Sequence, residues 1–235
     1  MKTAIGVLAG LAFVFAMPAR AEDVATPSKS AAKTAPAALM PSAQATRVAD
    51  WVSATNDNRA LPYAIIDKQS ASISVYNAKR KLLGTVPVLI GVASGDEATP
   101  GIGSKNLAEI GPAEKTTPAG RFLAKFGRAA GKQKVLWVDY ATSVALHPIP
   151  PGASKKERRS QRMASPTPDD NRITFGCINV PGAFYGKNVS PLFARKGGYV
   201  YILPDTKAIE DVFPPLRAEV VRDPGAPGSA TPPAL

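Results

Sequence analysis

Short apolar runs separated by proline, glycine and polar turns are the feature that most limits what this chain can fold into. Residues 63–67 form one such run, residues 72–76 alternate apolar and polar side chains, and residues 82–91 are rich in Val, Leu and Ile. Because polar turns separate the three runs, we expect a meander of antiparallel strands. Four more strands are predicted at residues 121–126, 135–140, 143–147 and 199–203, the second and third of which are close enough to form a hairpin.

Helix signals are few. Ser154 followed by Glu157 is typical of a capping box and predicts a polar helix through about Met163. Pro181 suits the first turn of a second short helix. The 23 prolines and 19 glycines favour loops and short strands over a helical bundle. We therefore expect a mainly β domain, a sandwich or barrel of strands with two or three short helices.

The first 21 residues have the pattern of a secretory signal peptide. Lys2 supplies a positive start, and residues 4–17 are an uncharged run shorter than the roughly 20 residues that span a bilayer. Ala19-Arg20-Ala21 then fits the small-x-small cleavage rule. An uncleaved anchor is the alternative. We expect export to the periplasm or cell envelope, with no stable membrane insertion after cleavage.

Composition divides the rest of the chain into three parts. Residues 22–47 are rich in Ala, Pro, Ser and Thr without an apolar period, which predicts a disordered linker. Residues 221–235 are rich in Pro and Gly and predict a disordered tail. The globular domain is then expected at residues 48–220, with a core at about residues 61–205.

Charge and aromatic content limit the class of partner. The net charge of +11 favours an acidic partner or a negatively charged surface. Export and the lack of a basic stripe interleaved with aromatic residues argue against nucleic acid. The aromatic content of 7% argues against a large carbohydrate-stacking surface.

The chain has one cysteine and one histidine, which excludes an internal disulfide framework, a multi-cysteine zinc site and a histidine-rich metal centre. An odd cysteine in an exported chain is buried, paired between molecules, or kept free for chemistry, and composition leaves all three open.

Gly176 before Cys177 allows a tight turn at a ligand. The residues after Cys177 look like a helix start, which would favour the thiolate and hold an oxyanion. His147 is the only imidazole that could serve as its base, and the Pro148 carbonyl could fix its tautomer. A structural histidine and a buried thiol are the alternatives.

These residues also match a family pattern. His147 followed by Thr174-Phe175-Gly176-Cys177-Ile178-Asn179 resembles the signature of the L,D-transpeptidases, the YkuD-like domain, in which Ser/Thr-His-Gly-Cys, an apolar residue and Asn or Arg follow a histidine. Residues 116–122, Thr-Thr-Pro-Ala-Gly-Arg-Phe, are similar to the family's Thr-Pro-x-Gly-x-Phe signature. Residues 65–91 resemble its opening strands and residues 196–202 its closing strand. The resemblance spans about residues 61–205 and implies a YkuD-like sandwich or barrel of mixed strands.

The resemblance implies acyl transfer on peptidoglycan stem peptides, without a metal or organic cofactor. Cys177 would attack the carbonyl of the diamino acid at the third stem position, and the terminal D-alanine would leave. An amine of a second stem, or of an acceptor envelope protein, would then take the acyl group. His147 would be the general base, oriented by the Pro148 carbonyl, while backbone N–H groups around Gly176 and Cys177 would hold the oxyanion.

Three further residues are candidates for supporting roles. Arg172, five residues before the cysteine, could clamp a substrate carboxylate, with a surface arginine as the alternative. Thr174 and Asn179 could order the loop around Cys177. For Asn179, a helix cap and a substrate contact are both considered.

The sequence departs from the family pattern in two places. Phe175 occupies the position of the family's second histidine, so whatever that histidine contributes is lost. Twenty-six residues separate His147 from Thr174, more than the usual spacing. The surplus, residues 150–171, is expected to be a basic lid over the cleft or a solvated polar helix, and its cationic residues are Lys155, Lys156, Arg158, Arg159 and Arg162.

Other functions stay open at this point. Water in place of the acceptor amine would make the protein an L,D-carboxypeptidase or another hydrolase. The missing second histidine allows a non-catalytic module that binds peptidoglycan or another polyanion. A redox protein is disfavoured, because the chain has no Cys-x-x-Cys and no resolving cysteine.

Overall fold

A computed structural model describes residues 39–129 and 133–217. The predicted signal peptide, most of the predicted linker and the predicted tail lie outside these residues. None of the helices in the described part is long and apolar enough to cross a bilayer.

Most of the described chain is organised around strands. The strands are β1 Tyr63–Asp67, β2 Ser72–Tyr76, β3 Leu82–Pro87, β4 Ile90–Gly91, β5 Gly120–Arg128, β6 Lys134–Asp139, β7 Val144–Pro148, β8 Arg172–Thr174, β9 Ile178–Val180 and β10 Gly198–Ile202. The helices are α1 Ala43–Thr55, α2 Arg159–Met163, α3 Gly182–Phe184, α4 Ser190–Phe193 and α5 Ile209–Val212. A π-helical turn, Tyr185–Val189, joins α3 to α4.

Eight of these strands form one mixed sheet in the order β3-β2-β1-β10-β5-β6-β7-β9. The pairs β1–β10 and β7–β9 are parallel and the others are antiparallel. β4 and β8 form a separate parallel pair. The first half of β5 pairs with β10 and its second half with β6, so one strand belongs to both halves of the sheet.

The sheet closes almost completely on itself. Leu89, which follows β3, donates its amide to the carbonyl of Asn179 on β9 at 3.0 Å and accepts from the Asn179 amide at 2.9 Å. These two bonds join the two ends of the strand order. The prediction of a mainly β sandwich or barrel of mixed strands with a few short helices is therefore confirmed.

The two faces of the sheet bury two separate apolar clusters. Alternate residues of a strand point to opposite faces, so Val200 and Ile202 enter the barrel interior while Tyr199 and Tyr201 point outward. The outward residues are covered by α1 and α5, whose buried side chains complete the second cluster. The first cluster includes Leu136, Leu146, Ile178 and Val180, which defines the inner face of the strands that matter below.

Helix α1 corrects the predicted linker boundary. Ser42 caps the helix by accepting from the Ala45 amide at 3.1 Å, and Ala45 is 1% exposed. Residues 43–47 are therefore the first turn of a packed helix. The Ala-rich composition hid the apolar spacing of Ala45, Val48, Ala49 and Val52, which matches one helix face.

Two other predictions on local structure are wrong. The strand expected over residues 82–91 ends at Pro87, which has no N–H to continue the ladder, and resumes at Ile90. The helix expected over residues 154–163 is broken at Arg158, whose φ of 47° is left-handed. A 3₁₀ turn, Lys155–Glu157, precedes the break and α2 follows it. The other six predicted strands are found within a few residues of their predicted bounds.

The packing of α1 generates a stability prediction. Trp51 is 5% exposed and meets the Tyr201 ring edge-on at 6.0 Å between centroids. We expect Trp51→Ala to lower the free energy of unfolding by about 3 kcal/mol, near the low end for an aromatic truncation, because the buried indole N–H has no partner to lose. Ser53→Ala, at an exposed position of the same helix, is the control. Equal stability of the two variants in urea denaturation would show that α1 is not part of the folded domain.

Candidate active site

The parallel pairing of β7 with β9 brings the candidate residues together. Leu146 lies opposite Ile178 and both belong to the inner cluster. His147 lies opposite Asn179, so by alternation both point to the outer face. Cys177, two residues before Asn179, continues this outer row. The only histidine and the only cysteine of the chain therefore lie on adjacent strands and on one face.

His147 is held by its own strand. Its Nδ1 lies 2.7 Å from the carbonyl oxygen of Pro148. Since that carbonyl only accepts, Nδ1 carries the proton and Nε2 is left unprotonated. Burial lowers the pKa of His147, the bond to Pro148 opposes this, and the positive charge of Arg159 lowers the pKa further. The imidazole is therefore neutral at neutral pH, as a general base must be.

The thiol of Cys177 is half-buried immediately before β9. Its Sγ donates to the carbonyl of Ser143 at 3.6 Å and also contacts the backbone amide of Ala145. Burial raises the pKa of Cys177, while the Ala145 amide and the charge of Arg159 act to lower it. Both the thiol and the imidazole are therefore neutral at neutral pH.

This arrangement corrects the expected helix start after the cysteine. Residues 178–180 are strand β9, and the next helix begins only at Gly182. No helix N-terminus therefore favours the thiolate at Cys177. Ile178 and Val180 are apolar at period two, which is a strand signal. Because this alternation covers only three residues, it did not outweigh the pattern of a helix start.

A hydrogen-bonded turn shapes the backbone before Cys177. The Thr174 hydroxyl donates to the carbonyl of Cys177 at 2.6 Å and accepts from the amide of Gly176 at 3.1 Å. Gly176 has a φ of +120°, and a Cβ there would lie 2.6 Å from the carbonyl oxygen of Thr116. Only glycine fits this position, and Thr174 orders the turn as the sequence suggested.

The same turn narrows the candidate oxyanion donors. Since the Gly176 amide already donates to Thr174, it is not free to bind an oxyanion without breaking that bond.

Phe175, at the position of the second histidine in the L,D-transpeptidase signature, is 37% exposed. The ammonium of Lys115 lies 3.8 Å from its ring centroid, so this position holds a cation–π contact.

Asn179 connects the site to the inserted segment. Its side chain is fully buried, and its Oδ1 accepts from Arg159 Nη1 at 2.7 Å. Arg159 also pairs with Glu157 at 2.8 Å. Asn179 is therefore no helix cap, because it lies within β9, while its unpartnered Nδ2 leaves a donor beside the site. Through Arg159, the segment of residues 150–171 is attached to the outer face beside His147 and Cys177.

Arg172 does not match the predicted substrate clamp. Its guanidinium donates to Asp205 Oδ1 at 2.7 Å and to the Lys68 carbonyl at 3.4 Å, and its side chain is 14% exposed. These contacts direct it into a buried ionic cluster. There Lys68, itself 1% exposed, donates to Asp96 at 2.9 Å and lies 3.6 Å from Asp205. Burial works to raise the pKa of Asp96, but hydrogen bonds from the Asp205 amide, Lys68 and their neighbours outweigh it and hold that pKa well below its usual range.

The ionic cluster supports the turn at Cys177 through Thr117. Lys68 donates to the Thr117 carbonyl at 2.9 Å, and the Thr117 hydroxyl donates to the Gly176 carbonyl at 2.8 Å. Nothing in the local sequence pattern indicates this network. Lys68 follows β1 and Asp205 follows shortly after β10, so recognising those two strands as parallel neighbours would have placed both residues at one edge of the sheet.

A cavity of about 570 Å³ lies beside Arg159. Its lining combines the apolar start of the inserted segment with cationic and polar side chains, among them Ile149, Pro150, Lys155, Arg158, Arg159 and Ser160. Such a lining suits an anionic peptide. Within residues 39–129 and 133–217, no cluster of three or more His, Cys, Asp or Glu side chains could hold a metal ion.

The strained glycine of the turn generates a prediction. We expect Gly176→Ala to slow alkylation of Cys177 by iodoacetamide and to lower the melting temperature, because the new methyl group would collide with the Thr116 carbonyl. Gly182→Ala is the matched control, since a Cβ at that position meets open space. Similar alkylation rates and melting temperatures for the two variants would contradict this account of the turn.

Arg159 generates a prediction on pH dependence. Alkylation requires the thiolate, so the wild-type rate should rise with pH through a thiol pKa above the ordinary range. Removing the positive charge in Arg159→Gln raises that pKa further, which moves the profile to higher pH and slows alkylation severalfold at pH 8. Arg162→Gln, which removes a charge from the same helix, should leave the profile in place. A profile that moves equally in both variants, or in neither, would exclude a specific effect of Arg159.

Comparison with known proteins gives only weak similarities. No family model matches the chain, and no curated protein matches it. Among solved structures, the catalytic domain of an Enterococcus faecium L,D-transpeptidase is 18% identical with a TM-score of 0.32, over 60% of this chain and 95% of that one. The helical cell shape determining protein Pgp2 of Campylobacter jejuni is 14% identical with a TM-score of 0.42, over 63% of this chain and 49% of that one. The chain thus spans about half the length of Pgp2, and similarities of this size do not establish the function.

Proposed function

We propose that this chain is an exported cysteine L,D-transpeptidase that acts on peptidoglycan stem peptides. The observation that carries the proposal is the position of the only histidine and the only cysteine on one outer face of two paired strands. The Pro148 carbonyl holds the histidine tautomer whose Nε2 can accept a proton. A nucleophile, a base and a group that orients the base are the three parts of an activated thiol.

The first half of the reaction forms an acyl-enzyme. As Cys177 Sγ attacks the carbonyl carbon of the third stem residue, His147 Nε2 takes the thiol proton, and the tetrahedral intermediate carries a negative oxygen. Because both groups rest neutral, the proton moves during the attack, and positioned catalysis of this kind contributes roughly 10²–10⁴ in rate. His147 then donates the proton to the departing nitrogen of D-alanine, and the thioester remains.

The second half of the reaction returns the enzyme to its starting state. An amine of a second stem, or of an envelope protein, attacks the thioester while His147 accepts a proton from it. The thiolate leaves and is reprotonated, and the new amide is released. No oxidant, metal or cofactor takes part in this sequence.

The oxyanion site in this proposal is smaller than the sequence suggested. The Gly176 amide is held by Thr174, so the Cys177 amide is the proposed donor. One such donor is worth about 3–4 kcal/mol of transition-state stabilisation. The rigid turn formed by Thr174, Gly176 and Thr117 would keep this amide in place without reorganisation during the reaction.

The inserted segment supplies the charge complementarity. Arg159 reaches the site through Asn179, and the cavity beside it is lined by Lys155 and Arg158. Stem peptides carry several carboxylates, and guanidinium groups bind them strongly. We therefore assign substrate carboxylate binding to this segment in place of Arg172. The proposed role of Asn179 in substrate binding is indirect, since its buried side chain positions Arg159.

Incubation of the purified protein with disaccharide-tetrapeptides tests the proposal. Mass spectrometry should show loss of D-alanine together with a cross-linked dimer. Cys177→Ala should abolish both products, and His147→Ala should lower the rate by about 10²-fold or more. Ser53→Ala, a substitution at an exposed position of α1, is the control variant and should form both products at the wild-type rate. Loss of D-alanine without a dimer would identify a carboxypeptidase, and a wild-type protein that forms neither product would leave a binding module.

A further inference from the structure

An exposed aromatic surface lies on the outer face of β5 and β6. In the sheet, β7 separates these two strands from β9 and Cys177. Tyr140 is 76% exposed, Leu123 is 46% exposed, and Trp137 is partly exposed between them. Together they line a cavity of about 490 Å³. Contiguous exposed apolar side chains mark binding sites, whereas apolar side chains that are exposed singly are common on protein surfaces.

The shape of this surface is set by a glycine. A Cβ at Gly127 on β5 would lie 2.7 Å from Trp137 Cδ1 and 2.9 Å from its Nε1. The absence of a side chain there lets the indole lie along the sheet, over the β5 backbone. The Tyr140 ring meets the indole at 73°, with 5.1 Å between centroids. The indole of Trp137 therefore forms a flat floor, and the ring of Tyr140 forms a side wall that carries a hydroxyl. We call the surface formed by these two residues the aromatic platform.

Strand register places the platform in line with the nucleophile. Trp137 lies opposite Ala145 on β7, and Ala145 lies beside Cys177, whose sulfur its amide contacts. The three residues form one row across adjacent strands. At about 4.8 Å per strand, the row spans about 10 Å from Trp137 to Cys177.

We propose that the aromatic platform binds the glycan strand of peptidoglycan, and this inference rests on the proposed function. The apolar face of a sugar ring packs on a flat indole, and the Tyr140 hydroxyl can bond its ring substituents. In the proposed reaction, three stem residues separate the sugar from the carbonyl that Cys177 attacks. Three extended residues span about 10 Å, which equals the length of the row. The platform therefore holds the sugar while its stem reaches the thiol.

The size of the platform favours a sugar over a second protein. A stable protein partner needs about 800 Å² on each side, far more than two rings and a leucine supply. One or two sugar rings fill such a site. The low aromatic content of the chain argued only against a large stacking surface, whereas this one consists of a few residues placed by register.

Calorimetric titration with a β-1,4-linked N-acetylglucosamine tetramer tests the platform apart from the chemistry. The tetramer carries no stem peptide, so binding does not depend on Cys177. We expect wild type and Cys177→Ala to bind it alike, and Tyr140→Ala to raise Kd about three- to tenfold. Trp137→Ala should raise Kd by at least as much. Leu83→Ala, at an exposed leucine of β3, is the control that should bind as wild type does.

Enzyme kinetics separate failure of the platform from failure of the proposed function. The ratio of kcat/KM for a disaccharide-tetrapeptide to that for the free tetrapeptide should exceed one in wild type and fall severalfold in Trp137→Ala. An active enzyme whose ratio and tetramer affinity are unchanged by Trp137→Ala would overturn the platform and leave the proposed function standing. Tetramer binding that depends on Trp137 in a protein without activity would support the platform and overturn the proposed function. A wild-type protein that does not bind the tetramer overturns the platform.

Discussion

The parallel pairing of β7 with β9 is the constraint on which the rest of the site depends. Leu146 and Ile178 fill the barrel interior, which forces His147 and Asn179 to the outer face. A shift of one residue in this register would bury the imidazole and expose the isoleucine. The hydrophobic core thus determines the positions of His147 and Cys177, although none of its side chains takes part in the proposed chemistry.

Polar contacts hold the backbone around Cys177 from two sides. From the interior edge, the ionic cluster of Lys68 reaches the Gly176 carbonyl through Thr117. From the outside, Arg159 attaches the inserted segment to Asn179. Buried charges of this kind add little net stability but are costly to break. They hold the backbone around Cys177 in the turn that the structure shows.

The sequence predicted local elements better than long-range pairing. A short apolar run located β1 and period-two patterning located β2, both with their observed bounds, because each is a short strand between polar turns. It could not reveal that β1 pairs in parallel with β10, more than 130 residues away, and so the positions of Lys68 and Asp205 were missed. The residue types around Cys177 predict thiol chemistry, which stays a prediction, and the sequence could not reveal that the guanidinium of Arg172, the predicted substrate clamp, pairs with Asp205. Arg158 broke a predicted helix through a left-handed conformation that no propensity indicates.

The side chains that flank the reactive pair suggest how a small β domain can process a branched polymer. The basic segment of residues 150–171 lies on one side of Cys177 and the aromatic platform on the other. In our account the first binds the charged peptide and the second the uncharged sugar, so different parts of the domain bind the two chemical parts of the substrate.

The titration of His147 by NMR tests the central claim most directly, because the sole imidazole gives a single Cε1–H signal. If the thiol and the imidazole are adjacent, the chemical shift of this signal should change in two steps as the pH rises. The first step, the titration of His147, should occur at a pH below the ordinary histidine pKa, and the second at alkaline pH, when Cys177 ionises. The second step should vanish in Cys177→Ala. A signal that moves only once in both proteins would show that the two side chains do not sense each other, which contradicts the account.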